Sequence, residues 1–180
     1  SMNEAYRNLL ERRSIRKYDD RPVPDDVLDA ILAAGNHAPS GMNTQGVRLV
    51  AVRDPETVAC LSKLNAAVMN ATNDPFYGAP CVVVVLVEPE RYTAVEDGSL
   101  VMGNLMNAAA DLGVASCWIH RAKEEFQTKE GKAFLEALGI TGDYEGIGHL
   151  VLGYPDGEKR PEQPRKENYI YYYYYYYYYF

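Results

Sequence analysis

RRSIRKY, residues 12–18, and APSGMNTQ, residues 38–45, flank one predicted helix and carry most of the unusual polar chemistry of the chain. The first segment contains three arginines and a serine: Arg12, Arg13, Ser14 and Arg16. Guanidinium groups stay charged and bind phosphate in bidentate fashion, so three of them in one short segment favour a phosphate monoester as ligand. The same cluster at a helix C-terminus would also complement the helix dipole with no ligand at all.

The second segment follows the predicted helix, which begins behind Pro24 and ends near Gly35 or Asn36. We expect residues 39–43 to form an irregular loop in which glycine allows close backbone approach, while Asn and Gln amides offer paired donors and acceptors. Such groups match the edge of a planar heterocycle. An ordinary turn joining a helix to a strand has the same composition, and the loop taken alone favours such a turn over a ligand site.

Apolar periodicity predicts both helices and strands in the rest of the chain. Val82–Val87 is almost wholly β-branched, which predicts a central strand buried on both faces. Further strands are predicted at residues 47–52, 116–119 and 147–152. Asp54 followed by Pro55 is typical of a helix start. Residues 99–112 carry so little charge that we predict a helix buried nearly all round.

The composition indicates one compact domain, since a chain of 180 residues that is 47% hydrophobic can bury a single core. A net charge of −7 argues against nucleic acid or an anionic membrane surface as partner. Cys60, Cys81 and Cys117 are odd in number and lack a metal-ligand pattern, so we expect buried, reduced thiols in a cytoplasmic protein. No signal peptide or membrane-spanning run is evident, and Ser1 before Met2 is typical of an expression-tag scar.

The remaining polar residues predict no metal site. His37 and His149 are assigned to structure, because neither lies beside a carboxylate or a cysteine pattern typical of a metal site or catalytic triad. Asp97 and Asp111 are assigned to helix ends or the surface rather than to catalysis.

The order of these motifs resembles the FMN-dependent nitroreductase family. Four further segments match it in order: FYGAP (76–80), DGSLVMGNLMNAAADLGVASCWIHRA (97–122), GIGHLVLGYP (146–155) and PRKENY (164–169). The resemblance implies an α+β, nitroreductase-like fold with a central, mainly antiparallel β-sheet surrounded by helices. It also implies an intertwined homodimer, in which residues 1–170 form a single FMN-binding domain and the helix at 99–112 lies at the heart of the dimer.

The resemblance further implies which residues contact FMN. They are Arg12, Arg13, Ser14, Arg16, Pro39, Ser40, Gly41, Asn43, Gln45, Trp118, Ile119, His120, Arg165 and Lys166. A second basic group, Lys159, Arg160, Arg165 and Lys166, lies near the C-terminus, where Pro161 and Pro164 predict an extended strap. The arginine segment and this strap would hold the phosphate, the 39–45 loop would reach the FMN of the other subunit, and residues 118–120 would pass near flavin N5. Phe76 and Tyr77 are candidates to line the substrate pocket. Family members often have Pro-Trp where this chain has Gly46-Val47, which puts the substrate in doubt but not FMN binding.

The function implied is NAD(P)H-dependent reduction of nitroaromatics, quinones or similar oxidised acceptors by ping-pong hydride transfer. The flavin carries the chemistry, so no catalytic side chain is predicted, and Arg16 would stabilise the reduced flavin. Two alternatives stay open. One is a flavin-binding sensor or carrier with little reductase activity; the other is a phosphate- or nucleotide-binding module without redox chemistry, although the chain lacks a P-loop or a GxGxxG after a strand.

The C-terminal segment 171–180 is an unbroken run of tyrosine closed by Phe180. Such low-complexity sequence is foreign to ordinary domains. Two interpretations stand: an artefact, or a strand exchanged within the dimer, since relatives commonly end in a short Tyr-rich strand after a PRKENY-like motif.

Overall fold

The computed structural model describes residues 3–174 and places a four-stranded antiparallel sheet at its centre. The strands are β1 (Val47–Val52), β2 (Cys81–Val87), β3 (Ala115–Ile119) and β4 (Glu145–Gly153). They lie in the order β1-β2-β4-β3, and every neighbouring pair is antiparallel. The predicted α+β class with a mainly antiparallel sheet is therefore confirmed.

In the described part of the chain six α-helices surround the sheet: α1 (Glu4–Glu11), α2 (Asp25–Asn36), α3 (Pro55–Val68), α4 (Ala94–Asp111), α5 (Ala122–Glu125) and α6 (Lys129–Ala137). Side-chain caps explain where three of them begin, because Asn3, Asp54 and Thr128 accept hydrogen bonds from backbone amides in the first turns of α1, α3 and α6. Helices α5 and α6 were not predicted from the sequence, and α4 begins at Ala94 rather than at the predicted Ser99.

Two apolar layers enclose the sheet, one on each face. Val83, Val85 and Val87 of β2 point toward α2 and α4, while the intervening residues of β2 pack with α3, α5 and α6. All seven residues of β2 are buried. This alternation confirms the prediction of a central strand buried on both faces.

Helix α4 is buried on one face only within the single chain. Met102 and Leu105 are wholly buried, whereas Val95 and Leu100 are 55% and 49% exposed. The prediction of burial nearly all round is thus wrong for the isolated subunit. Helix α1 has no buried residue, and its Leu9 is 59% exposed. These two helices leave apolar side chains in solvent.

Glu125 of α5 and His149 of β4 form a buried pair in the core. His149 Nε2 lies 2.8 Å from Glu125 Oε2, and both side chains have no exposed surface. The expectation that His149 has no carboxylate beside it is wrong, although its place in the core is structural. The rings of Phe76 and Phe126 lie 5.2 and 5.8 Å from the imidazole. Glu125 Oε1 and His149 Nδ1 have no hydrogen-bond partner among the described residues.

The thiols differ from expectation at one position. Cys81 and Cys117 are buried, but Cys60 on α3 is exposed, so the prediction that all three are buried is wrong there. Burial raises the pKa of the Cys81 thiol to about 11, and the nearby charge of Arg53 opposes this only in part. In residues 3–174 no helix is long and apolar enough to cross a membrane.

The C-terminal strap, residues 156–174, is exposed and forms neither helix nor strand within the single chain. Residues 171–174 of the tyrosine run form no strand within the single chain, and a strand exchanged within the dimer stays a prediction. Residues 175–180, which complete the tyrosine run, and Ser1 lie outside the described residues. The division into a 1–170 domain and a C-terminal segment stays a prediction.

Candidate functional site

The arginine segment lies along the free edge of β3. After α1 ends, the chain is extended, Ser14 forms a parallel bridge with Ser116, and the amide of Ile15 donates to the carbonyl of Ser116 at 3.0 Å. Because this pairing fixes the backbone of residues 14 and 15, the side chains on either side of Ser14 are held at the rim of the sheet. This pairing was not predictable from the sequence, since Ser116 is distant from Ser14 in the chain.

Two guanidinium groups at this edge have spare donors. Arg13 Nη1 donates to the carbonyls of Leu10 and Arg12 at 2.9 and 2.8 Å. Arg13 Nε and Arg12 Nη1 are buried and have no partner among the described residues. A buried donor without an acceptor costs about 1–3 kcal/mol, and more when the group is charged. An anion with several acceptor oxygens would satisfy both, so these residues fit a phosphate group.

Two adjoining clefts open beside the arginine segment, and Ile15 and Pro155 line both. The larger one, about 370 Å³, contains Ser14, Arg16 and Arg160. The smaller one, about 210 Å³, contains Arg12, Arg13, Ser116 and Lys159. Each cleft thus combines basic side chains from the N-terminal segment and from the C-terminal strap.

The strap meets the clefts earlier than the sequence indicated. Lys159 and Arg160 line them, whereas Arg165 and Lys166, the predicted phosphate contacts, are exposed further along the strap and line neither. An ion pair of 3.8 Å between Arg13 Nη2 and Glu162 Oε2 draws the strap toward the arginine segment. An extended strap has no periodicity, so sequence alone does not fix which residue crosses which point.

Tyr18 and Cys117 lie close to the arginine segment, because Arg16 interacts electrostatically with both side chains. The Tyr18 hydroxyl donates to the carbonyl of Ile15, and burial raises the pKa of Tyr18, so the phenol stays a neutral donor. Burial also raises the pKa of the Cys117 thiol, while Arg16 and Ser14 pull it in the opposite direction. Neither group is an ionised nucleophile at neutral pH.

The 38–45 loop lies at the other end of α2. That helix has 12 residues and is about 18 Å long, and none of the loop residues lines the two basic clefts. Ser40 and Gln45 instead line a separate cavity of about 40 Å³ beside Val101 of α4. Within one chain, the arginine segment and the 38–45 loop therefore line different cavities.

The loop has a strained backbone. Met42, Asn43 and Gln45 have φ values of 52°, 55° and 51°, in the left-handed region that favours glycine. The Gln45 amide donates to Ser40 Oγ at 3.0 Å, and the Gln45 side chain donates to Asn43 Oδ1 at 3.2 Å. Pro39 is exposed. The amide of Gly41 donates to Oδ1 of Asp97, a buried residue of α4, at 2.9 Å.

Residues 118–120 run along β3 away from the arginine segment. Trp118 is half-buried, and a Cβ at Gly148 would lie 2.5 Å from its indole nitrogen, so the glycine makes room for the ring. Ile119 is buried in the core and offers only its backbone. His120 is exposed, and its carbonyl accepts a hydrogen bond from Asn65 at 2.9 Å.

The two aromatic residues expected at a substrate pocket lie in different environments. Phe76 is 1% exposed and packs on His149, so it presents almost no surface to a ligand within the chain. Tyr77 is 39% exposed and has a φ of 56°. Asp74 holds this turn by accepting from the amides of Phe76 and Gly78 at 2.9 and 2.7 Å.

A cavity of about 750 Å³, larger than either basic cleft, lies elsewhere. It runs along the first half of α3 and is bordered by Val23, Arg53, Val58, Lys63 and Gly78. None of the predicted site residues lines it. Arg53 there is already paired, because it donates to the Val23 carbonyl and forms an ion pair with Asp25.

Comparison with known proteins places the chain among flavoprotein relatives. The model of the nitroreductase family matches residues 9–76 and 60–154. An Archaeoglobus fulgidus protein, whose name couples NADH dehydrogenase with NAD(P)H nitroreductase, is 34% identical over 88% of this chain and 89% of its own length. The FMN reductase [NAD(P)H] of Bacillus subtilis is 43% identical over 92% of this chain and 72% of its own.

Among solved structures, a nitroreductase with bound FMN from Bacteroides fragilis has a TM-score of 0.87 and 32% identity, covering 94% of this chain and 98% of that one. Sequence, family model and architecture agree over nearly the whole described chain. The protein belongs to the nitroreductase family.

Proposed function

We propose that this protein is an FMN-dependent oxidoreductase that takes its electrons from NAD(P)H. The observation that carries the proposal is the pair of buried arginine donors beside β3 that have no partner in residues 3–174, in a family whose FMN-bound member shares this fold. The names of the relatives support the same cofactor and reductant.

The residues of the basic clefts account for phosphate binding. Arg12 and Arg13 supply the free donors, and Ser14 adds a hydroxyl. Lys159 and Arg160 bring two further positive charges from the strap. Because a hydrogen bond to a charged group contributes about 1.5–3 kcal/mol, two such contacts would give a strong preference for FMN over riboflavin.

FMN, when bound, supplies hydride acceptance from NAD(P)H and electron transfer to an oxidised acceptor. The chain's own task is to bind and orient. Arg16 lines the larger cleft as an exposed cation, available to stabilise negative charge at the pyrimidine edge. The backbone of residues 118–120 extends from this edge along β3, which suits donation toward N5. Cys117 stays protonated and so does not compete as a nucleophile.

We further propose that the working unit is a homodimer with FMN at the subunit interface. The exposed apolar residues of α1 and α4, among them Leu9 and Leu100, would be covered by the partner. Since the 38–45 loop lies apart from the basic clefts of its own chain, it would contribute to the site of the other subunit. We also keep a cytoplasmic location and a ping-pong mechanism toward nitroaromatics or quinones as proposals, with Tyr77 the exposed candidate for the acceptor pocket.

Anaerobic rapid mixing of the FMN-loaded protein with NADH and, separately, NADPH tests this function. We expect the flavin absorbance near the visible maximum to bleach with at least one dinucleotide and to return on addition of a quinone. Parallel lines in double-reciprocal plots would support the ping-pong order. A flavin that neither dinucleotide reduces would favour the sensor or carrier, and a protein that binds no flavin would favour the nucleotide-binding module.

A further inference from the structure

We propose that Asp97 is a positioning residue that fixes the 38–45 loop on α4 so that the loop can contact the FMN of the partner subunit. The inference rests on the proposed function and assigns to Asp97 a role that the sequence pattern did not indicate.

Asp97 lies in the first turn of α4 and is only 2% exposed. Its Oδ1 accepts from the Gly41 amide at 2.9 Å, and its Oδ2 accepts from Thr93 Oγ1 at 3.0 Å. Thr93 is the N-cap residue of α4, but its side chain makes no cap hydrogen bond. Its hydroxyl instead orients the carboxylate toward the loop. Asp97 thereby joins two elements that are 56 positions apart in the chain.

The contact is close and demands glycine. A Cβ at Gly41 would lie 2.4 Å from Thr93 Oγ1, so the loop backbone approaches the start of α4 more tightly than any other residue type would allow. Burying a carboxylate is costly unless hydrogen bonds compensate it. The two hydrogen-bond donors to Asp97 are the Gly41 amide in the loop and the Thr93 hydroxyl against which Gly41 packs. The compensation for burying the Asp97 carboxylate therefore depends on the position of the loop.

The loop needs an anchor because its backbone is unfavourable. Three of its non-glycine residues, Met42, Asn43 and Gln45, have positive φ, and Met42 is 98% exposed. Such conformations persist only where surrounding contacts impose them, and they concentrate at functional sites. The Asp97 bond at Gly41 and the Ser40 bond at Gln45 bracket this strained stretch.

The same helix also carries the proposed dimer surface. Val95 and Leu100 of α4 are exposed on either side of Asp97 in the sequence. A loop fixed to α4 therefore keeps a constant position relative to the partner subunit when α4 packs at the interface. The arginine segment has no direct bond to Asp97, so the two halves of the FMN site can be perturbed separately.

The test compares Asp97→Ala, Asp97→Asn and the control Asp111→Asn, which lies exposed at the end of the same helix. FMN and riboflavin affinities of the apo proteins are measured by fluorescence titration, and hydrogen exchange is followed by mass spectrometry. For Asp97→Ala we expect both affinities to fall by about tenfold with the FMN-to-riboflavin ratio unchanged, and faster exchange confined to residues 40–46. Asp97→Asn, which keeps an acceptor for Gly41, should recover most of the affinity, and Asp111→Asn should match the wild type.

Flavin affinity and hydrogen exchange equal to the wild type in Asp97→Ala would overturn this inference but not the proposed function. A loss of protection across the whole chain would also overturn it, because such a loss indicates a merely structural role for Asp97. A wild type that binds no flavin would overturn the proposed function together with the inference. Should Asp97→Ala fail to fold, Thr93→Val removes one of the two donors and leaves the Gly41 bond. We then expect faster exchange at residues 40–46 and about threefold weaker flavin binding, and unchanged values would overturn the inference.

Discussion

Replacing one member of the buried Glu125–His149 pair should destabilise the protein far more than replacing both. In His149→Leu the Glu125 carboxylate loses its one hydrogen bond of 2.8 Å and stays in a site with no exposed surface. Removing one partner of a buried ion pair typically costs about 3–5 kcal/mol. Substituting both partners by apolar residues of similar size is often neutral or stabilising, because no polar group is left to desolvate.

The structure favours the upper part of that range for the single change. Glu125 Oε1 already has no partner among the described residues, so His149→Leu would leave both carboxylate oxygens unsatisfied. Glu125→Met leaves His149 Nε2 as well as Nδ1 without a partner among the described residues, and each unsatisfied group costs about 1–3 kcal/mol. For a chain of this size 1 kcal/mol shifts the midpoint by about 2–4 °C, so a loss of about 4–5 kcal/mol in His149→Leu should lower Tm by about 8–20 °C.

Urea unfolding of the apo proteins, followed by circular dichroism, measures the free energy of unfolding for all four members of the cycle. The double variant Glu125→Met/His149→Leu should lie closer to the wild type than His149→Leu does, with a coupling of at least 1 kcal/mol in magnitude. Additive losses from the two single changes would refute the view that the pair acts as one compensated unit.

Three further changes have defined outcomes. Gly98→Ala places a Cβ 2.5 Å from Ile147 Cγ1, so we expect a loss of about 1–3 kcal/mol in urea unfolding, and an unchanged midpoint would contradict the packing of α4 on β4. Iodoacetamide at pH 8 should alkylate Cys60 before Cys81, because Cys60 is exposed. Burial raises the pKa of Cys81 to about 11, which keeps its thiolate fraction small. Equal alkylation rates of Cys60 and Cys81 by mass spectrometry would contradict this. Tyr77 has a φ of 56°, which glycine adopts without strain, so Tyr77→Gly should leave the free energy of unfolding unchanged or raise it by about 1 kcal/mol. The same change should alter the KM for the oxidised acceptor. A large loss of stability would show that the ring is needed for folding.

Local patterns predicted the central elements well. The valine run of β2 and the Asp54-Pro55 start of α3 depend on neighbouring residues alone, and both lie where the sequence indicated. Helix α6 was missed although Thr128 caps its start, because its apolar stripe is short. The exposure of α4 was misjudged for a different reason: an uncharged helix has the same sequence signature whether its own chain or a partner covers it.

The site was predictable only in its chemistry. The arginine cluster and the loop glycine could be recognised by residue type, but their distances from other segments could not. Ser116 beside Ser14 and Asp97 beside Gly41 depend on tertiary packing between distant positions, for which one sequence gives no signal. The same limit explains why the strap meets the clefts at Lys159 and Arg160 rather than at the predicted residues 165 and 166.

The most direct test of the account is the ratio of FMN to riboflavin affinity, because the two ligands differ only in the phosphate that the arginine cluster is proposed to bind. Fluorescence titration of the apo wild type at low ionic strength should give a ratio of at least about tenfold. Arg12→Ala should lower that ratio by about tenfold, while Lys132→Ala, an equal change of charge at a residue paired with Asp143, should leave it unchanged. Equal affinity of the wild type for the two flavins, or an unchanged ratio in Arg12→Ala, would contradict the central claim.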